Sequence, residues 1–353
     1  MAGQIKHPQA VVFVMTVVAY IQISINGVNG DPRVPCFFIF GDSLADSGNN
    51  NQLDTLAKVN YKPYGIDFPR GTPTGRFTNG RTTADILGQL LGFSDFIPPF
   101  ATARGDVILR GVNYASGAAG IRDESGQQLG ERISMDGQLK NHEVTVSQMI
   151  EMLGNRDSAQ KYLTKCLYYV GMGSNDYLNN YFVPRFYPTS NLYTPDQYAQ
   201  VLIEQYRDQI MRLYNYGARK VVLTGLGPIG CTPYAISSFS TNGFACVDKI
   251  NDAIQLFNKK LIALVDQLNK SFTDAKFIYV NPFGILGTLD DLITSLGLSV
   301  VNVGCCPVND IGQCIPLGTP CLNRALHVYW DAIHPTETVN TYSATRLYAT
   351  LLS

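Results

Sequence analysis

Short apolar runs separated by longer amphipathic stretches organise this chain of 353 residues. Five of the runs are rich in β-branched or aromatic residues and only a few residues long, which is typical of buried strands. They occupy residues 37–40, 112–115, 167–170, 221–226 and 277–280. Because helical stretches lie between them, the pattern predicts an α/β fold built on a parallel sheet.

Two of the intervening stretches, residues 194–216 and 246–271, have apolar residues at three- and four-residue spacing, which predicts long amphipathic helices. Thr194 followed by Pro195 is typical of a helix start, and Gly217 is typical of a helix end. After residue 30 the sequence contains no repeat, low-complexity tract or Pro/Gly/Ser-rich linker. We therefore expect residues 31–353 to form a single domain.

The long apolar run at residues 10–25 follows Lys6 and precedes small residues at Gly27 and Gly30. This arrangement is typical of a signal peptide, so we predict that residues 1–30 are removed on export. The run is shorter than the roughly 20 apolar residues that a membrane span needs, and a retained N-terminal anchor is the alternative. The mature protein is expected to be secreted and extracellular, with the vacuole as the second destination.

The composition describes a globular protein with little net charge. The chain has 27 Lys and Arg against 28 Asp and Glu, and 45% of its residues are hydrophobic. A basic stripe that could neutralise phosphates is absent from the sequence, which argues against a nucleic acid partner. This near-equal number of basic and acidic residues favours a neutral or weakly charged substrate.

Cysteine and sequon usage agrees with export. Eight cysteines could form four disulfide bonds in an oxidising compartment. Cys231 and Cys246 are spaced for a local loop and four cysteines near the C terminus for a stapled segment, whereas Cys36 and Cys166 either pair or stay buried thiols. Without a Cys-x-x-Cys motif or regularly spaced histidines, no metal site is expected. Asn269 begins the one Asn-x-Ser/Thr sequon and is a predicted glycosylation site.

Ser43 follows the first predicted strand, and ligands of parallel sheets bind at the edge where the strands end. A serine hydroxyl is a poor nucleophile without a base to take its proton. Asp331 lies three residues before His334, a spacing that lets the carboxylate orient the imidazole. His142 and His327 have no acid at such a spacing and are interpreted as structural or surface residues. The sequence thus predicts a triad of Ser43, His334 and Asp331.

Acyl transfer also needs hydrogen-bond donors for the developing oxyanion. Two glycine-containing segments at predicted strand ends offer them. Gly117 could supply an unencumbered backbone N–H, and Asn175 could donate from its amide. The alternative for Gly117 is a tight turn, and for Asn175 a local capping interaction. With the N–H of Ser43, these groups form the predicted oxyanion hole.

Four blocks of the sequence, in this order, resemble the plant-type GDSL esterase/lipases of the SGNH hydrolase superfamily. They are FGDSLADSGNN at 40–50, GVNYASGAAG at 111–120, GMGSND at 171–176 and DAIHP at 331–335. The stretches at 64–69, 75–81 and 304–306 extend the resemblance, although Pro307 stands where related sequences often have glycine. The resemblance assigns the superfamily's four signature residues to Ser43, Gly117, Asn175 and His334. It implies a flavodoxin-like three-layer α/β/α sandwich with a mostly parallel five-stranded sheet.

Two further features of the sequence argue against a dinucleotide-binding enzyme and against an α/β-hydrolase. Residues 225–230, GLGPIG, have the spacing of a dinucleotide-binding loop, but they follow the fourth predicted strand and Pro228 removes an N–H. The Gly-x-Ser-x-Gly elbow of α/β-hydrolases is absent from the sequence.

The expected function is hydrolysis of carboxylic esters of acyl or lipid substrates, through an acyl-enzyme and without a metal or cofactor. Transfer of the acyl group to an alcohol is the first alternative, because both reactions share the acyl-enzyme. A non-catalytic carbohydrate- or lipid-binding protein on a hydrolase scaffold is the second, and the intact triad argues against it.

Overall fold

The computed structural model describes residues 31–240, 243, 245–286 and 296–352. The predicted signal peptide lies outside the described residues, and the division into residues 1–30 and a single domain stays a prediction. The strands are β1 (Phe37–Gly41), β2 (Leu167–Gly171), β3 (Lys220–Thr224), β4 (Lys276–Val280), β5 (Val300–Gly304) and β6 (His327–Tyr329). The longer helices are α1 (Thr83–Leu90), α2 (Met135–Met152), α3 (Arg156–Leu163), α4 (Pro195–Asn215), α5 (Pro233–Phe239), α6 (Asp248–Ser271), α7 (Pro282–Leu286) and α8 (Glu337–Leu352).

Shorter helical turns connect these elements. Two are α-helical, Ser174–Asp176 and Thr189–Leu192, and Tyr177–Tyr181 forms a π-helical turn. The 3-10 turns are Asn49–Gln52, Pro69–Gly71, Gly105–Arg110, Gln127–Leu129, Ile229–Cys231 and Arg324–Leu326. Both long predicted helices are confirmed as α4 and α6, and Thr194 caps α4 by accepting a hydrogen bond from the Gln197 N–H.

The central sheet has the order β1-β2-β3-β4, and every neighbouring pair is parallel. Four of the five predicted strands are thus confirmed. Residues 112–115 lie along the free side of β1 but form only isolated bridges, Ile39 with Asn113 and Pro99 with Asn113. Ile39 exchanges backbone hydrogen bonds with Val112 and Tyr114, but the Gly41 N–H, which would continue this ladder, donates to Oε1 of Gln138 at 3.0 Å. The five-stranded sheet is corrected to four strands and an irregular fifth segment.

Helices cover both faces of this sheet, which gives the three layers that were expected. On one face α2, α4 and α6 bury a large core that includes Phe38, Phe40 and Phe257. On the other face α1 and α8 pack together and cover Phe37 and Ile39. Alternate residues of β1 therefore face opposite layers, as the two-residue period of a strand requires. β5 and β6 form a separate two-stranded parallel sheet.

All eight cysteines are paired. Cys36–Cys166 joins the segments that lead into β1 and β2, and Cys231–Cys246 closes the loop between β3 and α6. In the C-terminal segment Cys305 pairs with Cys321, and Cys306 pairs with Cys314. The two adjacent cysteines thus hold residues 314 and 321 side by side. Among the described residues, no helix combines the length and the apolar character needed to cross a bilayer.

Candidate active site

Ser43 occupies the turn directly after β1, at the edge of the sheet where all four parallel strands end. Its Oγ lies 2.8 Å from Nε2 of His334, although 291 positions separate the two residues in the sequence. This distance is that of a hydrogen bond between a nucleophile and its general base. The structure therefore brings the predicted serine and histidine together.

Asp331 holds the other side of the histidine ring. Its Oδ2 and Oδ1 lie 2.8 and 3.0 Å from Nδ1 of His334. Oδ1 also accepts the backbone N–H groups of Ile333 and His334, at 2.8 and 2.7 Å, so the tight turn itself fixes the carboxylate. Asp331 is completely buried. Such a carboxylate selects one imidazole tautomer and stabilises the imidazolium when it forms.

Tyr64 is a member of this site that sequence reasoning missed. Its buried hydroxyl donates to Oδ2 of Asp331 at 2.6 Å and accepts the Cys314 N–H at 3.0 Å. Burial, together with the charge of Asp331, raises the pKa of Tyr64 well above its ordinary value, so the hydroxyl stays protonated. Tyr64 thus links the disulfide-bonded segment to the carboxylate of the predicted triad. The only signal in the sequence was the resemblance of residues 64–69 to related proteins.

The expected oxyanion donors differ in whether they already donate a hydrogen bond to another described residue. The Ser43 N–H donates to no other described residue, as an oxyanion donor requires. The Gly117 N–H, in contrast, donates to Oδ2 of Asp46 at 2.9 Å. The expectation that this N–H is unencumbered is therefore wrong. The next residue, Ala118, has a φ of 63°, and its N–H donates to no other described residue.

Asp46 organises the turn that contains Gly117. Besides the Gly117 N–H, its carboxylate accepts the N–H groups of Gly48 and Asn49, at 2.7 and 2.8 Å. Burial raises the pKa of Asp46 from 3.8 to about 6, even though these N–H groups and the charge of Arg76 act in the opposite direction. A buried carboxylate therefore ties the segment after Ser43 to the glycine-containing segment.

Asn175 lies in the helical turn that follows β2. One N–H of its amide donates to the Ala119 carbonyl oxygen at 2.9 Å, and its Oδ1 accepts from Asn179 at 2.7 Å. These bonds fix the amide beside residue 118, while the second N–H donates to no other described residue. An anchored amide with one unused N–H is the kind of preorganised donor that an oxyanion needs.

Comparison with known proteins identifies the family of this chain. A family model described as GDSL-like Lipase/Acylhydrolase matches residues 37–347. The chain belongs to the GDSL lipase/acylhydrolase family. It is 53% identical to the GDSL esterase/lipase At1g29660 of Arabidopsis thaliana, over 91% of this chain and 88% of that protein. It is also 53% identical to GDSL esterase/lipase At5g45670 and 45% identical to GDSL esterase/lipase At2g19010 of the same plant, with 94% of this chain covered in each case and 91% and 90% of the relatives.

The chain is accordingly a carboxylic ester hydrolase. Among the described residues of this GDSL hydrolase, two histidines lie outside the site. His142 is buried among Phe38, Phe40 and Tyr114, and burial lowers its pKa from 6.5 to about 3, so it stays neutral in the core. His327 lies close to the sulfurs of Cys305 and Cys321, but these are bonded to each other and offer no thiolate to a metal ion.

The glycine-rich segment after β3 does not form a phosphate-binding loop in this hydrolase. The N–H groups of Gly225, Leu226 and Gly230 donate to Val280, Asn258 and Asn251, so the protein itself takes up these donors. The segment then enters a short 3-10 turn instead of a long helix. A dinucleotide site needs free N–H groups at a helix start, and both conditions fail here.

Asn269, the predicted glycosylation site, lies in the last turn of α6. Its amide donates to the Phe277 carbonyl oxygen at 2.8 Å and accepts the Phe277 N–H at 2.9 Å. The residue thus fixes the start of β4 to the end of α6. Modification of Asn269 stays a prediction.

Proposed function

We propose that this GDSL hydrolase cleaves its ester through an acyl-enzyme on Ser43. The observation that carries the proposal is the continuous set of contacts from Ser43 Oγ to His334 Nε2, at 2.8 Å, and from His334 Nδ1 to Asp331 Oδ2, at 2.8 Å. In the first half of the reaction Ser43 Oγ attacks the carbonyl carbon while Nε2 of His334 takes the hydroxyl proton. The imidazolium then protonates the departing alcohol oxygen, and the acyl group stays on Ser43.

In the second half, His334 takes a proton from water, whose oxygen attacks the acyl carbon. The bond to Ser43 Oγ breaks, the carboxylic acid leaves and Oγ regains the proton from His334. Asp331 orients the imidazole ring and stabilises the imidazolium. We assign the oxyanion contacts to the Ser43 N–H and the Asn175 amide. The Gly117 N–H could join them only by giving up Asp46, whereas the Ala118 N–H is free to do so.

We further propose that the protein acts outside the cell, after removal of residues 1–30. The apolar run at residues 10–25 and the four disulfide bonds support export, because such bonds persist in oxidising compartments. Expression of the full chain in a secreting host tests this proposal. We expect the N terminus of the exported protein to lie near residue 31, with a glycan on Asn269. Retention of the intact N terminus in the membrane fraction would favour the anchor.

Hydrolysis of p-nitrophenyl butanoate tests the role of Ser43. We expect Ser43→Ala to lower kcat/KM by roughly 10⁴-fold or more. Ser47→Ala is the matched control, because its buried hydroxyl has no hydrogen-bond partner among the described residues and lies in the same block. A burst of one p-nitrophenol per active site would report the acyl-enzyme. Equal activity of wild type and Ser43→Ala would refute the proposal, and formation of a butyl ester faster than butanoic acid in added butanol would favour the transferase.

A further inference from the structure

A cavity of about 640 Å³ opens at the edge of the sheet where β1 to β4 end. Its floor includes Tyr169 and Val280 of the sheet, and α8 forms one wall. Its volume is within the range of about 300–1,000 Å³ that is typical of small-molecule sites. The volume is therefore that of a ligand site.

The cavity adjoins the triad. Asp42 and Leu44, which lie on either side of Ser43, line it, and so do Ile333 and Pro335, which lie on either side of His334. Neither Ser43 nor His334 is part of the wall itself. The reacting hydroxyl is thus at the rim, and a group attached to it can extend inward.

The wall is mainly apolar. On α8 the residues Val339, Ser343 and Leu347 follow one another at four-residue spacing and form a single face toward the cavity. Leu226 and Ile229 contribute from the segment after β3. Among the described residues of the wall there is no Lys, Arg or His, and the one carboxylate, Asp42, lies next to Ser43 at the reactive end. A phosphate or sulfate would find no cationic partner among these described residues.

We propose that this cavity binds the acyl chain of the substrate, an ester of a long aliphatic carboxylic acid. The inference rests on the proposed acyl-enzyme. During the reaction the alcohol must leave and water must enter while the acyl group stays attached to Ser43. The enclosed space therefore suits the part that remains, and the open side suits the alcohol. Each methylene that the cavity buries should raise kcat/KM up to about fourfold, from about 0.8 kcal/mol per CH₂ group.

The first test varies one side of the ester at a time. With p-nitrophenol as the constant alcohol, kcat/KM should rise from the acetate through the butanoate and hexanoate to the octanoate and decanoate. With acetic acid as the constant acid, lengthening the alcohol from ethyl to decyl should change kcat/KM much less. A rise that follows the alcohol, or no rise in either series, would overturn the proposal.

The second test fills the cavity. Ser343→Trp places a large ring in the cavity, whereas Thr341→Trp places the same ring on the exposed side of α8 and is the matched control. We expect Ser343→Trp to lower kcat/KM for the decanoate about tenfold or more, since excluding two methylenes already costs this much. The ratio of decanoate to acetate kcat/KM should fall only in Ser343→Trp, and circular dichroism spectra that match the wild type would show that both variants are folded. Equal decanoate activity in the two Trp variants would refute the assignment.

A binding measurement separates this proposal from the proposed function. Methyl decanoate should displace a polarity-sensitive apolar dye from the Ser43→Ala variant. It should displace none from the double variant that carries both Ser43→Ala and Ser343→Trp. Loss of displacement with intact folding supports the cavity even if Ser43 proves not to be the nucleophile. Displacement that is unaffected by Ser343→Trp would overturn the cavity assignment, whatever the outcome for Ser43.

Discussion

Replacing Tyr64 with phenylalanine removes one hydroxyl that contacts the triad without itself reacting. The hydroxyl donates to Oδ2 of Asp331 at 2.6 Å, in a completely buried position. A hydrogen bond to a charged group contributes about 1.5–3 kcal/mol. If this energy holds the carboxylate in place for the imidazolium, its loss lowers kcat by roughly ten- to hundredfold. KM should change little, because the substrate does not touch this bond.

The assay compares Tyr64→Phe with Tyr61→Phe on p-nitrophenyl butanoate. The Tyr61 hydroxyl donates to the Cys314 carbonyl oxygen at 2.9 Å, so both tyrosines hold the same disulfide-bonded segment but only Tyr64 reaches Asp331. The free energy of unfolding in urea should fall in both variants, by about 1 kcal/mol for Tyr61→Phe and by about 1.5–3 kcal/mol for Tyr64→Phe. Only Tyr64→Phe should lose most of its kcat. Equal kcat in the two variants would refute a direct effect of Tyr64 on the triad.

Two further predictions concern the segment around Gly117. Asp46→Asn keeps the size of the side chain but does not titrate, and urea titrations between pH 4 and pH 7 compare its free energy of unfolding with that of the wild type. Because the folded pKa of Asp46, about 6, exceeds its usual 3.8, this carboxyl favours folding below pH 4, and its contribution is lost as the pH rises toward 6. The unfolding free energy of Asp46→Asn should therefore vary less than that of the wild type in this window, and an identical slope would contradict the assignment. Ala118→Gly relieves a φ of 63° and should raise the unfolding free energy by about 0.5 kcal/mol with unchanged kcat/KM, whereas a loss of stability would show that the turn is not strained.

The layers and the parallel sheet could be predicted from sequence because short apolar runs alternate with long amphipathic helices. The fifth strand was wrong for a local reason. Residues 112–115 have the apolar composition of a strand, but the Gln138 side chain accepts the Gly41 N–H that would continue the ladder between β1 and this segment. β5 and β6 were not predicted, since the described residues of β5 are half-buried or exposed and give no clear apolar period. Composition cannot report where a side-chain amide competes with the sheet.

The candidate site likewise contains some contacts that could be predicted from the sequence and others that could not. Asp331 and His334 could be paired from the sequence because they belong to one turn, and residues three positions apart in a turn lie close together in space. Tyr64 and Asp331 are 267 positions apart, and Gly117 and Asp46 are 71 apart. Contacts of this kind depend on how whole segments pack, so a single sequence gives no spacing rule for them. The roles of Gly117 and Tyr64 therefore became visible only in three dimensions.

The precision of the site depends on a segment that supplies no reacting group. In residues 75–81 the ring of Phe77 packs on the His334 ring at 4.9 Å, and Thr78 donates to the Pro335 carbonyl oxygen at 3.0 Å. Arg76 in turn forms a buried ion pair with Asp85 at the start of α1, at 2.7 Å. The segment thus fixes the histidine turn to the helix layer that also supports β1. A catalytic group that is misplaced by about 1 Å can lower the reaction rate about 100-fold. A contact that only positions His334 therefore affects the rate of catalysis.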